Sequence, residues 1–326
     1  MNLTRRRMLG LVGALAAGTS GPLSAPVRAQ EWPTRALRIM VGTAPGGSPD
    51  ILSRLLADKI TERLGQSIYV ENNASGGGAV ALTTVQRAPP DGTSLAMMTA
   101  GYASGVAVRK FVHDGPNSFS YLSMVCAYPM VYAVAPNSPI KSFADLLARA
   151  KSDPGKLTYT ITSLGSVYHL LGKWIDQQAG TDMVPIPYRG AAPGVTDVLS
   201  GRVDVMLETA TSGFPRVRNG QLRVLAVTSP KRYSLMPDAP TVAETLPGVE
   251  YMSWLGLVTA PQTPKPIVDR LNSEIRRALD LSEVKQRLAE GGNIPTPTTP
   301  EVMSRQIEDE IGRWKKIVDT NNIRVE

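Results

Sequence analysis

Leu37-Arg38-Ile39-Met40-Val41-Gly42-Thr43-Ala44-Pro45-Gly46-Gly47-Ser48-Pro49-Asp50 reads as a strand, a glycine-rich loop and the opening of a helix. Ser67-Ile68-Tyr69-Val70-Glu71-Asn72-Asn73-Ala74-Ser75-Gly76-Gly77-Gly78 repeats the arrangement, and Ala79 begins a second helical run over 79–87. Ser48 is expected to cap the first helix with Pro49 at its first position. Apolar residues at Ile51, Leu52, Leu55, Leu56 and Ile60 share one helical face, and Gly65 supplies the stop. Pro89-Pro90-Asp91-Gly92 is a turn signal, 93–99 reads as a third strand, and Ala100-Gly101-Tyr102 as the turn after it. This βαβαβ order predicts a parallel sheet with right-handed crossovers. Both glycine loops then lie at the carboxyl edge of the sheet, where open α/β sheets bind ligands. Backbone N–H groups at such loops and at helix N-termini hold anions without a lysine or arginine. The stretch therefore predicts two backbone jaws for a small carboxylate, the alternative being glycines that serve only tight turns.

Outward from this unit, 121–136 is a long extended stretch interrupted by Pro129 and Pro136. After it the pattern restarts. Ser142 can cap a helix over 143–151, and strands at 157–161, 183–187, 203–207 and 222–227 alternate with helices at 167–178 and 194–199. Strand–helix alternation again implies a largely parallel sheet, hence a second α/β domain with its own loops at strand ends. A second extended run at 251–260 ends at Pro261, and the rest is helical. Thr299-Pro300-Glu301 starts a helix whose Met303, Ile307, Ile311, Trp314 and Val318 form one apolar stripe, expected to pack against the first sheet. The two extended crossings would then form a hinge.

The 326 residues suffice for two ordinary domains, and 42% hydrophobic with 19% charged residues is a globular composition. The leader holds Thr4-Arg5-Arg6-Arg7-Met8-Leu9, a short apolar run and Val27-Arg28-Ala29, the layout of a twin-arginine export signal cleaved after Ala29, with ordinary Sec export as the alternative. Loss of its four arginines, with no acid, lowers the net charge from +7 to +3, which leaves no basic patch for nucleic acid. The single cysteine, Cys126, cannot form an internal disulfide and reads as a buried small hydrophobe. With only His113 and His169 beside it, no zinc cluster is expected.

Neither glycine loop carries the Gly-Lys-Ser/Thr of a nucleotide P-loop. Gly76-x-Gly78-x-x-Ala81 fits a loose dinucleotide fingerprint, but it follows the second strand and the acid expected near 99–105 is missing, so no cofactor is expected. Ser163, Ser166 and His169 invite a hydrolase reading. Gly-x-Ser-x-Gly is absent there, and Ser166 as a helix cap with a structural His169 accounts for them better. Asp50 reads as a first-turn dipole and capping residue, and Arg189 as a surface cation or a charge-assisted contact to a distal ligand group.

With these residues in place the chain resembles the Bug (TctC-like) family of periplasmic solute receptors of tripartite tricarboxylate transporters. The resemblance runs through Trp32-Pro33, Pro45-Gly46-Gly47-x-x-Asp50, Leu64-Gly65-Gln66 and Val70-Glu71-Asn72 with the glycine run. It continues through Pro90-Asp91-Gly92, Gly165-Ser166-x-x-His169-Leu170, Pro187-Tyr188-Arg189-Gly190, Leu225-Ala226-Val227-Thr228-Ser229 and Pro240-Thr241-Val242-Ala243-Glu244. It implies a two-lobed α/β Venus-flytrap binder of the type II class without catalysis. Each lobe would be a mainly parallel sheet flanked by helices, the first formed by 30–130 with 255–326 and the second by 131–254, joined by two hinge strands.

Carried onto this sequence, the carboxylate jaws are Thr43, Ala44, Gly46, Gly47, Ser48 and Asp50, then Ser75, Gly76, Gly77, Gly78 and Ala79, with Thr99 and Ala100 beside them. A Cβ at Gly47 or Gly77 is expected to block the anion's approach. The selecting side is Ser163, Leu164, Gly165, Ser166, His169, Arg189, Gly190, Ala191, Ala192, Glu208 and Thr209. The implied ligand is a small organic acid, mono- or dicarboxylate, aromatic acids included. The implied partners are the permease subunits, with the receptor a monomer in the periplasm. A co-receptor presenting its ligand to a sensor kinase would use the same cleft. Three departures bear on the ligand: Thr43 stands where the family usually has a stacking aromatic, Glu208-Thr209 replaces Asp-Asn, and Asn73-Ala74-Ser75 replaces Arg-Pro-Gly.

Overall fold

The computed structural model describes residues 32–108 and 118–325; the leader at 1–29 and His113 lie outside the described residues. The first unit runs β1 (Leu37–Val41), α1 (Ser48–Leu64), β2 (Ile68–Asn72), α2 (Ala79–Gln86), β3 (Ser94–Thr99) and α3 (Gly101–Ala107). β1 lies between β2 and β3 and is parallel to both, with Ile39 opposite Val70 and Leu95. Leu37, Ile39, Met40 and Val41 are buried because this strand is central. Gly65 ends α1 in the left-handed conformation at φ 68, as its position predicts. The α1 start differs by one residue: Gly47 is the N-cap, Ser48 is already helical, and no side chain caps the end. The expected turn at 100–102 is instead the start of α3, a run of small and apolar residues buried from Tyr102 to Ala107.

The chain continues with β4 (Ser120–Val134), which passes through Pro129 without a break. Then follow α4 (Phe143–Ser152), β5 (Thr158–Ile161), α5 (Val167–Ala179), β6 (Val184–Pro187), α6 (Ala191–Leu199), β7 (Met206–Thr209), α7 (Ala210–Arg218) and β8 (Arg223–Val227). The chain closes with β9 (Met252–Thr259), α8 (Lys265–Asp280), α9 (Ser282–Glu290), β10 (Ile294–Pro295) and α10 (Pro300–Thr320). The first sheet has the order β10-β4-β9-β3-β1-β2, while β7 and β8 pair with the far half of β4. β5 and β6 form a parallel pair, linked through Tyr159 to Val205. The parallel character expected from the sequence holds for β2-β1-β3 and β5-β6, whereas β4, β7, β8, β9 and β10 join antiparallel, so the sheets are mixed.

Pro129 explains why β4 can serve both sheets. It faces Met252 as the last residue of the β9 ladder, and from Met130 onward the partners are β7 and β8. A residue without an N–H is tolerated where one ladder gives way to the next. The Thr228 hydroxyl accepts from Met130 N–H at 2.8 Å and donates to the Tyr251 carbonyl at 2.6 Å, which knits the second crossing to the first.

Thr299 caps α10 through its hydroxyl, with Pro300 at the first helical position, as the sequence implies. Met303, Ile307, Trp314 and Val318 are buried, and Ile311 is half-buried. The stripe does not pack on the first sheet alone: α10 lies against α3, β4 and α5. Trp314 meets Trp174 of α5 edge to face at 6.2 Å and Tyr251 at 5.3 Å. Its indole N–H donates to Glu310, as do Trp254 N–H and the Tyr251 hydroxyl, so a buried carboxylate gathers three donors beside the crossing strands. Cys126 is fully buried, and burial pushes its thiol far above the usual range, so it packs as a hydrophobe. Among the described residues no helix is long and apolar enough to cross a membrane, and no cluster of metal-ligating side chains occurs.

Candidate functional site

A cleft of about 580 Å³ opens where the strand ends of the two sheets face each other. Its first wall carries Thr43, Pro49, Gly76, Gly77 and Ala79, then Thr99, Ala100, Gly101, Ser104 and Gly105. The floor is Tyr128 and Met130 of β4 with Ser253 of β9. The facing wall is Thr162, Ser163, Gly165, Ser166, Val167, Tyr168 and Thr209. None of these is a lysine, arginine or histidine. The N-terminal ends of α1, α2, α3, α5 and α7 border the cleft, and helix N-termini carry partial positive charge with unpaired amides. An anion can be held here by dipoles and hydroxyls alone.

The two glycine loops touch through their backbones. A Cβ on Gly42 would lie 2.7 Å from Gly78 Cα, so only glycine allows the approach. Gly76, Gly77 and Gly78 take φ values of 61°, 66° and 92°, a conformation that side chains disfavour. Gly76 and Gly77 face the cleft, while Gly78 is spent on contact with Gly42. Ser75 lies off the cleft, its N–H donated to Asn73 Oδ1.

The first jaw differs more from expectation. Asp50 is buried, and its carboxylate accepts from Gly46 N–H at 2.9 Å, Asn72 Nδ2 at 3.0 Å and Arg54 Nε at 3.0 Å. Burial opposes its charge, but the bonds from Arg54, Gly46 and Asn72 prevail and hold the carboxyl below its ordinary value. Asp50 and Gly46 are thus committed to each other and shape the loop from within. Ala44, Gly46, Gly47 and Ser48 do not line the cleft. Gly47 has an ordinary φ of −76°, and a Cβ there would meet no protein atom closer than 3.7 Å, so the loop itself does not require a glycine at this position. Thr43 does face the cleft, and its Oγ1 is buried without a hydrogen-bond partner. An orphaned hydroxyl is costly unless a bound group completes it.

On the facing wall, Ser166 caps α5. Its hydroxyl donates to the Ser163 carbonyl at 2.6 Å and receives His169 N–H at 3.5 Å. His169 is buried, and its Nδ1 accepts from Gly165 N–H at 3.0 Å. The pair is therefore a cap and a loop brace, with no Ser166–imidazole hydrogen bond. Leu164 and Arg189 border a neighbouring depression with Arg324, which meets the cleft at Thr162 and Ser163. Gly190, Ala191 and Glu208 surround a void of about 20 Å³ behind Tyr168, and Ala192 lines none of these spaces. Ala191 and Ala192 belong to the first turn of α6, which starts three residues before the expected helix.

Glu208 Oε1 accepts from Thr209 N–H at 2.8 Å and from the Tyr168 hydroxyl at 3.1 Å. Burial pushes its carboxyl above the ordinary range, and the bonds from Thr209 and Tyr168 with the charge of Arg216 only partly offset this. Glu208 acts on the cleft through the two residues it orients. The sequence reading missed Pro49, Gly101, Ser104, Gly105, Thr162 and Val167, and also Tyr128, Met130, Ser253 and Tyr168. Tyr168 was within reach, beside the Ser166-x-x-His169 motif; the crossing strands gave no signal, since both their faces are apolar. Together Tyr128 and Tyr168 supply aromatic surface that Thr43 does not.

Residues 52–323 match the sequence profile of the Tripartite tricarboxylate transporter family receptor. The chain belongs to that family. BugT of Bordetella pertussis is 32% identical over 322 residues, covering 98% of each chain. A Rhodopseudomonas palustris protein solved with adipate superposes with a TM-score of 0.77 at 32% identity, covering 90% of this chain and 99% of that one. MatC of the same organism, solved with bound malate, gives 0.76 at 29% identity over 88% of this chain and 100% of its own. Fold and family are those of a two-lobed solute-binding receptor of the periplasmic class. In this receptor the mixed sheets and the two crossing strands are the frame on which the cleft is built.

Proposed function

We propose that this receptor captures a small organic acid in the cleft between 30–130 with 255–326 on one side and 131–254 on the other, and delivers it to permease subunits of a tripartite tricarboxylate transporter. The observation that carries the reading is a cleft with no cationic side chain among its described lining residues, bordered by five helix N-termini and holding the orphaned Thr43 hydroxyl. Such a site suits a carboxylate held by amides and hydroxyls. The malate and adipate bound by two relatives are of that chemistry. Gly76, Gly77 and Thr43 would meet the carboxylate, while Tyr168, Ser163 and Thr209 would contact the distal part. Tyr128 and Tyr168 would cover an apolar or aromatic body.

The receptor acts as a monomer in the periplasm, after twin-arginine export and cleavage following Ala29. In this reading it performs no turnover, and the bond from the Ser166 hydroxyl to the Ser163 carbonyl supports a capping role for that serine. Closure is driven by the ligand's tighter binding to the closed form. A thermal-shift screen of malate, adipate, benzoate and shorter monoacids tests the reading, since a ligand of the native state raises Tm by mass action. At least one acid should raise Tm in the wild type and not in Gly77→Val, and be recovered unchanged. Absence of any carboxylate response would end the reading.

A further inference from the structure

A second concavity of about 790 Å³ lies on the other face of the crossing strands. The alternation of β9 shows this directly: Ser253 points into the cleft, while Met252 and Trp254 line the rear groove. On β4, Tyr128 and Met130 face the cleft, while Met124 and Ala127 face the groove. The bulge between Met124 and Cys126 keeps those two on one side. The groove is therefore separate from the site described above, and nothing that follows depends on what the cleft binds.

Its chemistry is that of an amphiphile site. Met124, Ala127, Met252, Trp254 and Ile294 form an apolar floor. Above it, the loop after β8 contributes Ser229 and Lys231. Ser229 is 5% exposed, and its Oγ is buried without any hydrogen-bond partner. A hydroxyl so enclosed is satisfied only by something entering the groove. Lys231 is exposed and makes no ion pair among the described residues, whereas its neighbour Arg232 is engaged with Glu244. The opposite wall, on α10, carries Gln306, Asp309, Glu310 and Arg313. Glu310 is saturated by its three donors, and Arg313 stacks over Trp174. Asp309 forms no salt bridge among the described residues, so its charge disfavours a second carboxylate placed beside it on this wall.

We infer that the rear groove is a second binding site, for an amphipathic monoanion whose carboxylate meets Ser229 Oγ and Lys231 Nζ and whose hydrocarbon body lies on Met124, Ala127, Met252, Trp254 and Ile294. The tail is held by burial of apolar area and the head by one charge-assisted contact, while Asp309 selects monoacids over diacids.

Calorimetric titration of the purified mature receptor with decanoate below its micellar concentration tests this. In Gly77→Val, whose front cleft is blocked, decanoate should bind at one site per chain. Lys231→Glu and Ser229→Ala should each weaken it by about tenfold or more, with Tm confirming a folded protein. Gly77→Val, in the front cleft, should leave the affinity of that site unchanged. Decanedioate should bind at least about fivefold more weakly than decanoate, and Asp309→Asn should close that gap. No binding of decanoate overturns the inference. So does loss of binding in Gly77→Val with Lys231→Glu unaffected, which would place the acid in the cleft, and so does binding indifferent to all four variants.

Discussion

Gly42 and Gly78 meet backbone to backbone: a Cβ on the first would stand 2.7 Å from the Cα of the second, and one on Gly78 would stand 2.9 Å from the Gly42 carbonyl oxygen. The two glycine loops are therefore one welded structure, and the geometry of Gly76 and Gly77 in the cleft depends on a contact made behind them. Neither atom that blocks the Cβ belongs to a flexible side chain, so the only relief is to part β1 from the start of α2.

Gly78→Ala should accordingly cost about 2–4 kcal/mol, from a left-handed φ of 92° plus the backbone collision. Urea unfolding measures the loss, and the affinity for the captured acid should fall with it. Gly47→Ala is the matched control, because φ is −76° and space is open, and it should change stability by no more than about 0.5–1 kcal/mol. Equal effects from the two substitutions would show that the loops are not held together at this point.

What the sequence makes legible here follows from its periodicities. The βαβαβ unit, the Gly65 stop and the caps at Ser142, Ser166 and Thr299 are local features, and the structure has them. The continuity of β4 through Pro129 is not local: proline signals a break, and only the change of partner strand explains why none occurs. The same holds at the site. Gly76 and Gly77 could be placed by the rule for sheet edges, but Tyr128 and Ser253 could not, since strands buried on both faces show no alternation to say which face meets a ligand. The burial of Asp50 and its bond to Gly46 arise from Asn72 reaching across from β2, a contact between residues 22 apart in sequence.

That three-way junction makes the first loop sensitive to pH. The Asp50 carboxyl is held below its ordinary value, so its contribution is present above about pH 4 and is lost as pH falls through the lowered folded value. Asp50→Asn should lose about 1–3 kcal/mol at neutral pH, as the charge-assisted bonds from Gly46 and Arg54 weaken. Its stability should then fall less steeply than the wild type's below about pH 4. Parallel acid limbs for the two proteins, measured by denaturant unfolding across that range, would rule the mechanism out.

Ser166 is a helix cap whose hydroxyl also serves the Ser163 carbonyl at 2.6 Å. Ser166→Ala should therefore lower stability by about 0.5–2 kcal/mol, an amount usual for a lost cap. Because Ser163 and Ser166 both line the cleft, ligand affinity should fall modestly, by about threefold to tenfold. An ester or amide substrate hydrolysed by the wild type and not by the variant would instead make Ser166 a nucleophile.

Glu208 offers the opposite pH signature. Burial raises its carboxyl above the ordinary value of about 4.3, so between that value and the folded one the native state binds more protons than the unfolded chain. Stability then falls as pH rises through this window, since ionising the native carboxylate is penalised. Glu208→Gln stays neutral and escapes the fall, so its stability relative to the wild type should grow from about pH 4 upward and level off above the folded value. The amide oxygen can still accept from Thr209 N–H and the Tyr168 hydroxyl, so the affinity of the captured acid should stay within about threefold. Glu208→Ala leaves both donors without their acceptor at the cleft wall and should weaken binding by about tenfold. Unfolding curves for wild type and Glu208→Gln that remain a fixed distance apart across the pH range would show that this carboxyl titrates as an ordinary glutamate.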